Sequence, residues 1–106
     1  MTNITLLIEN RDVNFKIDTG FDGECTLSFD IFNSIPGEEL GDFVVRTATG
    51  EVVYMKSKKV RAEYKGKQIY LLCLSNCIIN KNLLGERALS LLKLVIDYKN
   101  NKVDDP

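Results

Sequence analysis

The tripeptide Asp18-Thr19-Gly20 is the candidate for chemistry in this sequence. It follows residues 13–17, whose alternation of apolar and polar residues is typical of a half-buried strand. A carboxylate at the end of such a strand is partly withdrawn from water, and the glycine beside it lets another chain come close. Such a carboxylate could act as a general acid or base. The competing interpretation is an ordinary turn, because Asp and Gly are common turn residues.

The rest of the composition limits the chemistry further. The chain contains no His, which excludes Ser-His and Cys-His nucleophile pairs, HExxH zinc hydrolysis and Cys/His zinc fingers. General acid–base work therefore falls to Asp, Glu, Lys, Tyr or Cys. Asp97 lies in an apolar stretch, and we interpret it as a structural acid that accepts hydrogen bonds from the backbone. No cofactor is expected.

The three cysteines are Cys25, Cys73 and Cys77. An odd number cannot all pair within one chain, and no leader-like segment opens the sequence. We therefore expect free, mostly structural thiols in a reducing cytoplasm, with Cys25 buried. Cys73 and Cys77 are four residues apart, but no further Cys or His completes a ligand set, so no metal site is expected.

The charges give little indication of a charged partner. Lys and Arg total 14 and Asp and Glu total 15, a net charge of −1, so the chain has no general attraction to nucleic acid or to an anionic membrane. The basic run Lys56–Lys59 is interpreted as a solvated strand end. No apolar run is long enough to cross a bilayer. We expect neither a nucleic acid nor a membrane partner.

The alternation of apolar residues predicts the elements that position the tripeptide. Hairpins are predicted over residues 4–17, over residues 43–55 with Gly50 at the tip, and over residues 60–73 with a turn at Lys65-Gly66. The other predictions are a strand at 25–29, a helical turn at 30–35, a helix at 86–92 with Leu89, Leu91 and Leu92 in the core, and a strand at 94–98. Apolar residues make up 44% of the 106 residues, which suits one folded domain, 1–106. The pattern indicates a small, partly closed β-barrel.

Two motifs in register resemble a known family. Ile17–Gly23 reads Ile-Asp-Thr-Gly-Phe-Asp-Gly and resembles the active-site loop of the retropepsin-type aspartic proteases. Asn82–Gly85, followed by the predicted helix, resembles the apolar-apolar-Gly segment before that family's helix. The middle hairpin, residues 44–54, stands where the family has its flap. The closing stretch Leu94–Tyr98 is similar to archaeal and bacterial single-domain members in particular.

The resemblance implies a fold and an activity. The fold is all-β, a small closed barrel of the retropepsin (acid protease) type with one short C-terminal helix. The activity is that of an aspartic endopeptidase, a homodimer in which Asp18 of each protomer meets its counterpart at a two-fold axis. Asp18 is then the catalytic carboxylate, Thr19 locks the two loops together, and Gly20 offers its backbone to the substrate.

The resemblance also implies a substrate and the residues that contact it. The substrate is an extended peptide or an unfolded protein. The residues that we expect to bind it lie in the loop, the flap tip and the second motif: Phe21, Asp22, Gly23, Ala48, Thr49, Gly50, Leu83, Leu84 and Gly85.

Two departures from the family pattern leave other functions open. Retroviral members have an Arg directly after the helix-opening Gly, where this chain has Glu86, with Arg87 one residue later. The tail, residues 99–106, is polar, whereas retroviral dimers interleave their chain ends. These departures motivate an alternative, a catalytically inactive peptide-binding or assembly module of the same fold. A third possibility is an unrelated small barrel in which Asp-Thr-Gly is a coincidence.

Overall fold

The computed structural model describes residues 2–21, 23–46, 49–97, 99–100 and 102–104. Within these ranges the chain forms nine strands and two short helices. The strands are β1 (Asn3–Ile8), β2 (Arg11–Ile17), β3 (Cys25–Thr26), β4 (Glu38–Arg46), β5 (Val52–Tyr64), β6 (Lys67–Ser75), β7 (Leu83–Leu84), β8 (Val95–Asp97) and β9 (Lys102–Asp104); the helices are α1 (Phe29–Ser34) and α2 (Glu86–Leu92).

Three antiparallel hairpins form where the sequence predicts them. Strands β1 and β2 are joined at Glu9 and Asn10, whose φ angles are 48° and 67°. Strands β5 and β6 are joined at Lys65 and Gly66, with φ angles of 48° and 81°. Two positive φ angles in a two-residue turn match the right-handed twist of the strands on either side. Strand β4 pairs with the first part of β5, from Val52 to Lys59, and the two form the third hairpin.

The short strand β7 connects distant parts of the chain. It runs parallel to β2, with Leu84 opposite Ile17, and antiparallel to β3, with Leu84 also opposite Cys25. The sheet order is β1-β2-β7-β3-β6-β5-β4, and β1 also pairs with β5. The end of β2, the start of β3 and the end of β7 therefore lie side by side. A mostly β fold with a short helix near its C-terminal end is confirmed, and closure into a barrel stays a prediction.

The core is formed by side chains from the sheet and from both helices. Its buried apolar side chains include Leu6, Ile8, Val13, Phe15, Leu27, Phe32, Val60, Leu71, Leu84, Ala88 and Leu92. Helix α2 has the predicted bounds and buries Ala88, Leu89 and Leu92. The expectation that Leu91 belongs to the core is wrong, because its side chain is 49% exposed on the outer face of the helix.

The expectation of three free thiols is wrong for two of them. Cys25 and Cys73 form a disulfide across the parallel strands β3 and β6, where they are register partners with Cα atoms 4.6 Å apart. Both residues are fully buried, as expected for Cys25. Cys77 is a free, exposed thiol. The cytoplasmic location was inferred from free thiols, and the disulfide removes that basis.

Three other elements differ from the sequence prediction. Strand β3 ends at Thr26, and Phe29 begins α1 instead of extending the strand. The strand predicted at 94–98 is β8, Val95–Asp97. It pairs with β9 from the polar tail, where Val103 lies opposite Ile96 and both side chains pack against the core.

The basic run is not entirely solvated. Lys56 and Lys59 are exposed, but Lys58 is only 5% exposed. Its Nζ donates to the carbonyl oxygens of Phe32 at 2.6 Å and Ile35 at 3.1 Å. Lys58 therefore donates hydrogen bonds to carbonyl groups at the C-terminal end of α1 that accept none within the helix. No described helix is long and apolar enough to cross a membrane.

Candidate active site

Asp18 is the first residue after β2, and a hydrogen bond to the neighbouring strand β7 holds its backbone in place. Its backbone N–H donates to the carbonyl oxygen of Leu84 at 3.0 Å. This hydrogen bond continues the parallel pairing of β2 with β7 by one residue, so the position of Asp18 is set by the sheet. The Asp18 residue is half-buried, which leaves part of it accessible at the surface of the protomer.

The residues after Asp18 form a tight turn that orients its carboxylate. The N–H of Gly20 donates to Asp18 Oδ1 at 3.0 Å, and the N–H of Phe21 donates to the Asp18 carbonyl oxygen at 3.2 Å. The first bond fixes one carboxylate oxygen on the loop, and the charge on that oxygen strengthens the bond. Thr19 and Gly20 are exposed, so this face of the turn is open to a second molecule.

The second motif packs directly against the loop. A Cβ added at Gly85 would overlap the carbonyl oxygen of Gly23 and lie 2.9 Å from the carbonyl oxygen of Phe21. Only glycine fits at this point, because any side chain would push the loop away. The Phe21 ring lies in the same place, with Cδ2 2.9 Å from the added Cβ. Leu83 is half-buried and Leu84 is buried.

The middle hairpin is the flap candidate and projects from the sheet. All nine residues of β4 are exposed, and Gly50 at the tip has a φ of 88°, which favours glycine. Thr49 and Gly50 are exposed. Ala48 lies outside the described residues. Large apolar side chains on the hairpin are also exposed, among them Val44 at 60% and Tyr54 at 68%, so the hairpin presents an uncovered apolar surface.

The structure brings together one part of the predicted site. Asp18, Phe21 and Gly23 meet Leu84 and Gly85 through the hydrogen bond and the close packing described above. The predicted flap residues Thr49 and Gly50 belong to a separate hairpin. Asp22, which the resemblance places among the residues that bind the substrate, lies outside the described residues.

The helix after Gly85 presents its charged residues to solvent. Glu86 and Arg87 are both exposed on α2. Glu86 lies in the first turn of the helix, where a negative charge interacts favourably with the helix dipole. A cavity of about 400 Å³ opens between this helix and the loop, and Glu24, Arg87, Ser90 and Leu91 line it.

Glu24 is a residue of the site that the sequence did not single out. Its carbonyl oxygen accepts the N–H of Gly85 at 2.8 Å, and its carboxylate Oε1 accepts the N–H of Leu72 at 2.9 Å. The signal in the sequence was weak, since it consisted of one acidic residue directly before the alternating run that begins at Cys25.

Asp97 has the structural role predicted for it. Its two carboxylate oxygens accept the backbone N–H of Asn100 at 3.2 Å and the side-chain amide of Asn100 at 2.9 Å. These hydrogen bonds lower the pKa of the Asp97 carboxyl below its ordinary value of 3.8, the side-chain bond most strongly. Across the described ranges, no three His, Cys, Asp or Glu side chains group as a metal ion would require.

Solved structures of viral proteases have a similar fold. The EIAV protease complexed with the inhibitor HBY-793 superposes with a TM-score of 0.71 and 25% sequence identity, over 85% of this chain and 86% of that chain. The Simian Foamy Virus (mac) protease superposes with a TM-score of 0.61 and 12% identity, over 86% and 94%. The foamy viral protease-reverse transcriptase in complex with an RNA/DNA hybrid superposes with a TM-score of 0.62 and 8% sequence identity. The match covers 85% of this chain and 12% of that chain.

Comparisons of sequence alone give no relative. No family model matches the chain, and no curated protein sequence matches it. The chain therefore has a retropepsin-like fold that is recognised through its structure. The similar structures named above are viral, and the likeness to archaeal and bacterial members stays a prediction.

Proposed function

We propose that this chain is an aspartic endopeptidase, active as a homodimer with one Asp-Thr-Gly per protomer. The observation that carries the proposal is the position of Asp18, which is fixed on β7 through Leu84 and lies at an open turn. The viral protease structures of similar fold support a peptidase. The chain would act as one retropepsin-like domain, without a metal or a cofactor.

The dimer follows from the chemistry that a single carboxylate lacks. Two Asp18 carboxylates across a two-fold axis would repel each other if both were charged, so they would share one proton. The ionised member would take a proton from a bound water, which attacks the peptide carbonyl. The protonated member would donate a hydrogen bond to the carbonyl oxygen. The exposed Thr19 would contact its counterpart across the axis.

The substrate would be an extended peptide or an unfolded protein. The backbone of Gly20 is exposed next to the carboxylate, where it can hydrogen-bond to an extended chain. Phe21, Asp22, Gly23 and Leu83 would contact the substrate at the floor of the cleft, and the buried Leu84 and Gly85 would support that floor from the protein interior. The hairpin tip, Ala48, Thr49 and Gly50, would close over the substrate and exclude water. The exposed apolar side chains of the hairpin would then be covered by substrate and partner.

Cleavage of an unfolded protein by matched variants tests the proposal. D18N removes the ionisable group but keeps the size of the side chain and its acceptor oxygen for the Gly20 amide. We expect it to abolish cleavage while sedimentation still shows a dimer. The control is D12N, an exposed carboxylate on β2, which should cleave like the wild type. Cleavage by D18N at the wild-type rate would contradict the proposal.

A peptide-binding module is the second candidate function, and one observation favours it. Strand β4 is the last strand in the sheet order, and every residue in it is exposed. An edge strand of this kind can accept an extended peptide by strand addition. Such a module would bind an unfolded protein without cleaving it, and D18N would bind equally well. Turnover that depends on Asp18 would exclude this alternative.

A further inference from the structure

Glu24 directly follows the candidate catalytic loop and makes two separate contacts to neighbouring elements. Its backbone carbonyl accepts the N–H of Gly85 at 2.8 Å, and its carboxylate accepts the N–H of Leu72 at 2.9 Å. The residue is half-buried. One acidic residue thus attaches the loop both to the start of α2 and to the middle of β6.

The Glu24 carboxylate takes the place of a backbone acceptor that β3 would provide if it began earlier in the chain. Strand β3 begins at Cys25, which lies opposite Cys73 of β6. On the β3 side of β6, the carbonyl of Leu74 accepts the N–H of Leu27 at 3.1 Å. The N–H and carbonyl groups of every second residue point to the same side of a strand. The N–H of Leu72 therefore also points to the β3 side of β6, but it lies just before the first residue of β3. The Glu24 side chain supplies the acceptor that a longer β3 would have given.

The two ends of the loop are held on neighbouring residues. Asp18 donates its N–H to Leu84, and Glu24 accepts the N–H of Gly85. Both ends of the loop are therefore bound to one dipeptide. The Glu24 carboxylate adds a contact to β6 at Leu72, next to the disulfide that also joins β3 to β6. If the Leu72 contact is lost, the loop residues before β3 gain freedom to move, while β2, β7 and the disulfide-linked β3 stay in place.

We propose that Glu24 is a positioning residue for Asp18: its carboxylate fixes the loop so that the two Asp18 side chains of a dimer meet in reactive geometry. This rests on the proposed peptidase function. A displacement of about 1 Å can cost as much as 100-fold in rate. We expect the loss to fall on kcat, because Glu24 is not among the residues proposed to bind the substrate.

Glu9 provides a matched control on the same sheet. Its carboxylate accepts the N–H of Arg61 at 2.6 Å, and its own N–H donates to the Arg61 carbonyl at 2.9 Å. The chemistry of this contact is the same as that of Glu24 with Leu72. Glu9, however, lies at the turn before β2, whereas Asp18 follows the other end of that strand. Removing the Glu9 carboxylate therefore measures how much activity is lost when one such contact is broken far from the loop.

The experiment compares E24A, E24Q, E24D and E9A in the full-length protein. Kinetics on an unfolded protein substrate and amide hydrogen exchange by NMR are measured on each variant. We expect E24A to lose at least about tenfold in kcat, with KM changed less than about twofold. E24Q, which keeps the length and an acceptor oxygen, should recover most of that loss, and E24D, which is one methylene shorter, should not. The Asp18 and Leu72 amides should exchange faster in E24A than in E9A.

The outcomes separate the role of Glu24 from the proposed function. Equal kcat losses in E24A and E9A, or no recovery in E24Q, would overturn the positioning role. If the wild type cleaves nothing, the proposed function fails. The exchange rate of the Asp18 amide then decides about Glu24 alone: faster exchange in E24A supports it, and equal exchange in E24A and E9A overturns it.

Discussion

The backbone N–H of Asp18 donates a hydrogen bond to the carbonyl oxygen of Leu84 at 3.0 Å. This bond joins two motifs that are far apart in the sequence, the Asp-Thr-Gly turn and the Leu-Leu-Gly segment before α2. Its geometry depends on β7 pairing with β2, so the position of the candidate catalytic residue is a property of the sheet.

Replacing Gly85 with alanine should displace the loop. The added Cβ would overlap the carbonyl oxygen of Gly23 and crowd that of Phe21. We expect the free energy of unfolding to fall by about 2 kcal/mol, as for other overpacked sites, and cleavage to be lost. Urea unfolding and the cleavage assay measure the two effects.

The control for Gly85 is Gly66, where an added Cβ meets nothing within 4 Å but φ is +81°. G66A should lose about 1 kcal/mol from backbone strain and keep its cleavage activity. An active, fully stable G85A would show that the close packing at Gly85 is not required.

The Cys25–Cys73 disulfide should contribute strongly to stability. It closes a loop with a sequence separation of 48 residues, and cross-links of this size are worth about 2–4 kcal/mol. The double variant C25A/C73A should lose about that amount in urea unfolding, whereas C77A should not, because Cys77 is exposed and free. A thiol assay on the denatured, unreduced protein should find one free thiol per chain. Three free thiols would refute the disulfide.

The buried amino group of Lys58 should stabilise the end of α1. K58M keeps the apolar stem but leaves the carbonyls of Phe32 and Ile35 without their donor. We expect a loss of about 2 kcal/mol in the free energy of unfolding, typical of buried polar groups left unpaired. K59M changes the neighbouring, exposed lysine and should stay within about 0.5 kcal/mol of the wild type. Similar stabilities for the two variants would contradict the prediction.

The carboxyl group of Asp97 should titrate below its ordinary pKa of 3.8, because Asn100 donates two hydrogen bonds to the ionised form. A lowered pKa means that Asp97 stabilises the fold above the unfolded-state value and loses this contribution as the pH falls through the folded-state value. N100A should raise the pKa of Asp97, since the hydrogen bond from the Asn100 side chain is the largest cause of its lowering. NMR titration of the carboxyl carbon measures this, with N33A on α1 as the control. An unchanged Asp97 pKa in N100A would contradict this prediction.

Local patterns in the sequence predicted the local structure well. Alternation and turn residues predicted the three hairpins, and the strong helix formers at 86–92 predicted α2, because these signals lie within a few residues of one another. The Asp18 turn and the segment before α2 carried the resemblance to the retropepsin-type proteases, and the retropepsin-like fold is confirmed. That the two segments form a catalytic site stays a prediction.

Features that depend on distant partners were not predicted. Nothing near Cys25 or Cys73 indicates that β3 and β6 bring them together, because a disulfide is a relation between two strands. Lys58 is buried because α1 ends next to β5. The Glu24 carboxylate reaches Leu72 because β3 begins only at Cys25. In the tail, Val103 alone was too weak a signal for β9.

The distance between the two Asp18 carboxylates in an experimental structure of the assembled protein tests the central claim most directly. We predict a two-fold dimer in which the nearest carboxylate oxygens lie within hydrogen-bond distance, about 2.6–3.2 Å. The Thr19 side chains should meet beside them. A monomer at high concentration, or a dimer that holds the two carboxylates too far apart to share a proton, would contradict an aspartic peptidase built from two copies of this chain.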